Sequence, residues 1–309
     1  MNNKIVVEPY DPAWPEIFAR ESALIQNALG VNCVAVHHVG STAIPGMSAK
    51  PIIDMIPAVK DITAVDQANE AMMKLGYTCN GEAGMLFRRF FTKPGFNIHV
   101  YESDAGELDR LLKFRDWMRI HPDDAQAYAD LKLKLAVQFA SDRFLYTMNK
   151  ENFIASIDKK TGFDGLRIVK TLTDREWSAY HRIRKQQIFD LLQVEYDVNH
   201  PTLKDEAHIH LVLYKGSEIV GAAHLEFLSD TEAALRPFAI DAPYQNAGTG
   251  SKFLIAIERW LKQQGVHLLR LHAYSKALTF YQRLGYVPMP FPEDNHLPNI
   301  DPVDMGKYL

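Results

Sequence analysis

The spacing of apolar residues along this chain changes period several times, and each change marks an element. From Trp14 to Leu29 the apolar positions recur at helical spacing, which predicts a helix. Val34 to Val59 then reads as strand, turn and strand, Val65 to Leu75 as a helix, and a β-rich region follows that ends at Ile98-His99-Val100. Two further helical runs, Glu107 to Arg119 and Pro122 to Phe139, come next, the second with Tyr128, Leu131, Leu135 and Phe139 roughly on one face. A polar, glycine-containing stretch, Asp158 to Gly165, breaks the pattern before a new strand at Leu166 to Val169.

Beyond that break the pattern turns more strongly β. HIHLVLYKGSEIVGAAHLEFL is two strand-like runs around a Lys-Gly turn. Phe238 to Leu261 runs from a strand through a glycine turn into an amphipathic helix, with Phe253, Leu254, Ile257 and Leu261 at helical spacing. LLRLHAYSKALTFYQRLGYV reads as strand, helix and closing strand. The break separates two expected domains, residues 1–160 and 165–309, and a chain of 309 residues can bury a core in each. No internal repeat or low-complexity segment interrupts either half.

Composition narrows the classes. Hydrophobic content of 47% and charged content of 23% are those of an ordinary globular protein. A net charge of −4 offers no basic footprint for nucleic acid, which is not expected as a partner. The two cysteines, Cys33 and Cys79, lie far apart without Cys-x-x-Cys or His spacing, so neither a disulfide framework nor a zinc site is expected. With no signal-like start and no apolar stretch of spanning length, the expected location is the cytoplasm, away from membranes.

The glycine turn carries the clearest chemistry. Gln245-Asn246-Ala247-Gly248-Thr249-Gly250-Ser251 supplies consecutive backbone N–H groups where a helix begins, and the unpaired donors of a first helical turn favour an anion such as a pyrophosphate. The pattern Q-x-x-G-x-G after an apolar strand resembles the acetyl-CoA pyrophosphate loop of the GNAT N-acetyltransferase family. Ala277, Phe280, Tyr281, Gly285 and Tyr286 resemble that family's A-x-x-F-Y-x-x-x-G-F segment. The resemblance covers roughly residues 165–309. It implies a mixed sheet flanked by helices, acetyl-CoA as acetyl donor and a small-molecule amine as acceptor.

It further implies that Phe238, Ala239 and Ile240 line the pantetheine and that Tyr281 is the general acid. Many family members have Asn where this chain has Tyr274, so that contact to the cofactor is expected to be remade or lost. The loop also lacks the Arg common in the family. For the base, Glu226 and His224 share a strand face by the period of two, with His272 and Glu195 as further candidates. The loop from Trp177 to Pro201 and the acidic, proline-rich tail from Phe291 to Asp304, with Glu293, Asp294 and Asp301, are expected to shape the acceptor side.

In the first half, HHVGSTAIPGMSAKPIIDMI places Gly40-Ser41-Thr42 after an apolar strand and Asp54 on a buried-looking one. An ionised Asp there needs a partner, for which Lys50, Arg88, His99 or a metal are open choices. This segment, with FRDWMRIHPDDAQAYADLKLKLA, Tyr146 and Lys150, resembles the GrpB family over nearly all of residues 1–157. The resemblance implies a nucleotidyltransferase-like mixed sheet with helices, making the whole chain a two-domain α+β and α/β protein. Active nucleotidyltransferases hold Mg²⁺ with an Asp-x-Asp/Glu pair, but here Met55 and Ile56 follow Asp54, leaving Mg²⁺ open. Gly40, Ser41, Lys50, Asp54, Arg88, His99, Arg115, Lys132 and Lys150 form the expected pocket for a nucleotide or phosphorylated ligand. The leading expectation is an acetyl-CoA-dependent N-acetyltransferase with an accessory first domain. Nucleotidyl transfer and a non-catalytic ligand sensor are the alternatives.

Overall fold

The computed structural model describes residues 4–291 and 302–309. It divides into two compact units between Arg167 and Ile168.

The first unit contains α1 (Trp14–Leu29), β1 (Cys33–Val39), β2 (Ile53–Val59), α2 (Asn69–Lys74), β3 (Thr78–Cys79), β4 (Arg89–Lys93), β5 (Phe96–Glu102), α3 (Gly106–Ile120), α4 (Pro122–Gln138), α5 (Arg143–Met148) and α6 (Glu151–Lys160). Its sheet has the order β1-β2-β5-β4-β3, with β2 and β5 parallel and the other pairs antiparallel. Alternation of side chains assigns the two faces. Met55, Ile98 and Val100 join Trp14, Ile25 and Leu29 of α1 in one core. Val39, Ile56 and Tyr101 meet Leu108 of α3 in another. Asp54 lies in register between Val39 and Asn97, on the α3 face. The run expected as one helix from Val65 to Leu75 is instead a 3₁₀ stretch, Thr63–Ala68, followed by the short α2. That helix stops where Gly76 takes a left-handed φ of +86°.

The second unit contains β6 (Leu166–Lys170), α7 (Asp174–Arg184), a π-turn over Lys185–Phe189, α8 (Asp190–Leu192), β7 (His208–Lys215), β8 (Glu218–Phe227), β9 (Glu232–Ile240), α9 (Thr249–Gln263), β10 (Leu268–Ala273), α10 (Leu278–Arg283), β11 (Val287–Pro288) and β12 (Val303–Tyr308). Thr173 and Glu176 close a capping box on α7, which fixes where that helix begins. The sheet order is β11-β12-β10-β9-β8-β7-β6 among the described residues. Phe253, Leu254, Ile257 and Leu261 are buried, as their helical spacing requires.

One irregularity positions everything that follows. β9 and β10 run parallel but pair only from Glu232 to Leu235 against Leu268 to Leu271. Past Leu235 the described partner of β9 is β8 alone, to which Phe238, Ala239 and Ile240 pair. Between the two registers, Arg236 and Pro237 together oppose His224, a bulge at which proline, having no N–H, breaks the ladder. The parallel strands therefore splay, and the β10-facing edge of Arg236 to Ile240 has no strand partner among the described residues.

Candidate functional site

The unpaired edge of β9 leads directly into the glycine turn. Gly248 is the N-cap of α9 at φ +75° without a side-chain cap, and Asn246 also takes a positive φ, +58°. No atom lies within 4 Å of where a Cβ on Gly248 would stand, so the backbone faces open space. The helical bonding begins with Lys252, whose N–H donates to the Gly248 carbonyl at 3.0 Å. The N–H groups of Thr249, Gly250 and Ser251 precede it and form the donor end of the helix. Gly250 sits closer in: a Cβ there would touch Ile240 and Phe280 at 3.5 Å. Gln245 departs from expectation, since its N–H donates to Ala242 O at 3.3 Å. Its side-chain Nε2 donates to Ile240 O at 2.8 Å and Gln187 Oε1 at 3.1 Å. Gln245 thus ties the turn to the end of β9, and the open donors begin after it.

On the α9 side of the sheet, Phe238 packs on Phe253 and Phe280, with ring centroids 5.3 and 6.2 Å away. Ala239 and Ile240 are buried, so what these three residues offer along the splayed edge is backbone. Tyr281 on α10 is buried with its ring against Phe280 and Tyr286. Its hydroxyl makes no hydrogen bond among the described residues. Burial, reinforced by neighbouring Tyr274, pushes the Tyr281 phenol well above its ordinary range, so it holds its proton at neutral pH. Tyr274, half-buried, precedes the 3₁₀ turn Ser275–Ala277.

The α7 side carries the titratable groups. Here the structure corrects the expectation for His224 as a base. The side chain is 5% exposed under α7, with Nε2 2.8 Å from His208 Nδ1 and its ring against His210. Burial, then the cation Arg184 and the neighbouring His210, His208 and Arg236 drive its pKa far down, so the imidazole is neutral and a poor proton acceptor. Glu226 is also committed: Oε2 accepts from Arg236 Nε at 2.7 Å and lies 2.6 Å from a second guanidinium nitrogen. It is an ion-pair partner rather than an unencumbered carboxylate.

His272 stands where β10 leaves β9, one residue past the last parallel pair. Its Nδ1–H donates to Asp304 Oδ1 at 2.9 Å, and its ring stacks on Phe291 at 4.7 Å. Asp304 Oδ2 in turn accepts from the Phe291 N–H at 2.9 Å. This fixes the imidazole plane, and Nε2 is buried. Of the expected tail residues, Glu293, Asp294 and Asp301 lie outside the described residues.

In the first unit the expected pocket separates into parts. Gly40 presses on Asp54: a Cβ at its left-handed position, φ +69°, would stand 2.5 Å from Asp54 Oδ2. Ser41 opens the 3₁₀ turn just after it. Asp54 Oδ1 accepts from the Asn97 amide at 2.9 Å, and of the expected side chains Lys50 acts on it through its charge, whereas Arg88 and His99 do not. Burial pushes the carboxyl up, opposed by that bond and by Lys150, Lys50 and Arg143. Arg88 instead donates to the carbonyls of Glu82 and Ala83, and His99 lies beside it at 3.4 Å, held neutral at about 3 by burial and that guanidinium. Arg115 donates to Asp116 and to His38 O. Only Gly40, Lys50, Asp54, Lys132 and Lys150 converge. Among the described residues no group of three or more His, Cys, Asp or Glu is arranged to hold a metal ion.

Arg236, Asn97 and Arg143 went unnoticed in the sequence. A signal existed for the first, because Arg236 is the diagonal neighbour of Glu226 once Glu226 faces Ala234. His272 and Asp304 are direct cross-strand partners, which needs the β10–β12 register to be known.

These two sets of residues fall within two recognisable families. The sequence model described as GrpB protein matches residues 4–160, and that described as Acetyltransferase (GNAT) domain matches residues 206–288. The UPF0157 protein YqkA of Bacillus subtilis (strain 168) is 39% identical over 160 residues, half of this chain and 47% of its own length. The chain thus spans about half of that relative. The crystal structure of conserved protein GrpB from Enterococcus faecalis is 36% identical, covers 50% of this chain and 96% of its own, and superposes with a TM-score of 0.49. An acetyltransferase structure from Streptococcus agalactiae 2603 is 16% identical, covers 48% of this chain and 100% of its own, and has a TM-score of 0.41. No described helix is long and apolar enough to cross a membrane.

Proposed function

Because the chain belongs to the GrpB protein family through residues 4–160 and carries an acetyltransferase (GNAT) domain over residues 206–288, we propose that its second half transfers an acetyl group from acetyl-CoA to a small-molecule amine. The observation that carries this reading is the splay of β9 from β10, opening onto a glycine turn whose donors cap α9. The strand edge of β9, the glycine turn and the phenol of Tyr281 are the parts that an extended, pyrophosphate-bearing thioester requires.

Bound acetyl-CoA supplies the activated acyl group; the rest is done by the chain. N–H groups from Asn246 to Ser251 hold the pyrophosphate, assisted by the positive end of α9. The loop has no Arg, so backbone donors carry this contact. Edge groups of Phe238 to Ile240 align the pantetheine and polarise the carbonyl oxygen. His272, oriented by Asp304 where β10 leaves β9, borders the acceptor side. The Glu226–Arg236 pair leaves that face polar without a free carboxylate at Glu226. Tyr281 gives its proton to the departing thiolate as the C–S bond breaks, which its protonated state permits.

Calorimetric titration of acetyl-CoA into the intact chain tests the reading, followed by thiol release across a panel of amines. Saturable one-to-one binding supports it, and absence of binding overturns it.

A further inference from the structure

Unpaired cations in the first unit point to a second ligand. Four positively charged side chains from three places in the chain meet near Asp54. Lys50 comes from the loop before β2, Lys132 from α4, Arg143 opens α5 and Lys150 follows it. The Lys50 and Lys150 ammoniums both stand over the ring of Tyr146, 4.9 and 4.6 Å from its centroid. Neither makes a hydrogen bond or an ion pair among the described residues. Lys132 is 3% exposed, with its ammonium over Tyr128 at 5.0 Å and bonded to the Ser48 carbonyl. Among the described residues the carboxylate that acts on Lys50 and Lys150 is Asp54, which already takes the Asn97 amide.

Such a set is costly to keep empty. Bringing like charges together out of water disfavours their charged forms, and one carboxylate cannot neutralise four cations. The effect is visible in the lysines. Burial, then Lys150, pulls Lys132 down to about 7. Burial and Lys50, with Arg143 adding and Asp54 opposing, pull Lys150 down to about 8. Lys50 is lowered by burial and Arg143, against Asp54. Because Asp54, Lys50 and Lys150 are only partly buried and Arg143 is exposed, the cluster is open to solvent and to a solute.

We propose that Lys50, Lys132, Lys150 and Arg143 form a binding site for a dianionic phosphate group, either inorganic phosphate or a phosphate monoester, seated beside Tyr146. A dianion offsets the excess positive charge that remains after Asp54, whereas a monocarboxylate would leave most of it. Several donors from separate elements also suit an acceptor with three or four oxygens. The site owes nothing to the glycine turn of the second unit and stands whether or not acetyl transfer does.

The test uses the intact chain with acetyl-CoA present to occupy the glycine turn. Thermal unfolding is followed as inorganic phosphate, a phosphate monoester and the dicarboxylate succinate are each titrated at constant ionic strength. The midpoint should rise saturably with either phosphate, as binding to the native state demands, and little with succinate. Calorimetry near pH 8 in buffers of different ionisation enthalpy should show proton uptake, since the bound dianion restores charge to Lys150 and Lys132. Lys150→Gln should abolish both responses while acetyl-CoA still binds. Lys132→Met replaces a buried ammonium with a chain of similar length and keeps the test valid if Lys150→Gln folds poorly; it too should lose the phosphate response. No phosphate-specific shift, an equal response to succinate, or a shift that survives both substitutions would overturn the assignment.

Discussion

Replacing Gly248 with Trp separates the fold of the glycine turn from its use. Gly248 holds φ +75°, and an L-residue there costs about 1–2 kcal/mol. No heavy atom lies within 4 Å of the added Cβ, so no packing penalty is added. The indole instead enters the space faced by the N–H groups of Thr249 to Ser251. A hydrogen bond to a charged group is worth about 1.5–3 kcal/mol. Losing two of them costs about 3–6 kcal/mol, a loss of affinity of roughly 10²- to 10⁴-fold. Gly265→Ala is the control: it has the same positive φ, +88°, and only Asp230 O near its Cβ at 3.9 Å, but lies past the far end of α9. Isothermal titration of acetyl-CoA into the parent and both variants, with a melting curve for each, gives the answer. Both variants should lose similar stability, and only Gly248→Trp should lose the ligand. Unchanged affinity in a folded Gly248→Trp would refute the placement of the pyrophosphate.

Tyr281→Phe keeps the ring packing against Phe280 and Tyr286. Stability should move by less than about 0.5 kcal/mol and acetyl-CoA affinity should hold, while turnover, read as thiol release, should fall roughly 10²- to 10⁴-fold. Gly40→Ala combines left-handed strain with a Cβ 2.5 Å from Asp54 Oδ2. Urea unfolding should show a loss of about 2–5 kcal/mol, the sum of about 1–2 for strain and about 1–3 for overpacking. Finally, from about pH 7 upward the native chain holds fewer protons on Lys132 than the unfolded chain, whose lysines titrate at their ordinary value. In phosphate-free buffer its contribution to stability therefore rises with pH above 7, and Lys132→Met should flatten the increase in urea midpoint between neutral and alkaline buffer.

The chain's local pattern was enough to delimit most elements and both families. Trp14–Leu29 appears with the predicted ends, and the helices from Gly106 and Pro122 differ from expectation by a residue or so, because each carries a continuous apolar face that only a helix can bury. The glycine turn was legible for a similar reason: left-handed backbone at Gly248 followed at once by a helix is encoded in neighbouring residues. Partnership was not. Asp54 announced itself as a costly carboxylate, yet its partner Asn97 lies 43 residues on and meets it only because β2 and β5 pair in parallel. His224 and Glu226 looked equivalent by the period of two, and His272 looked secondary. Their surroundings differ because α7 covers His224, Arg236 at the bulge takes Glu226, and β12 sets Asp304 beside His272. The sequence by itself determined the elements, the glycine turn and the acidic and basic residues available, since those depend on neighbours along the chain. Tertiary structure alone decided which charges meet, which are neutral and which remain unpaired, because desolvation and Coulomb interaction depend on distances that strand register and helix packing create.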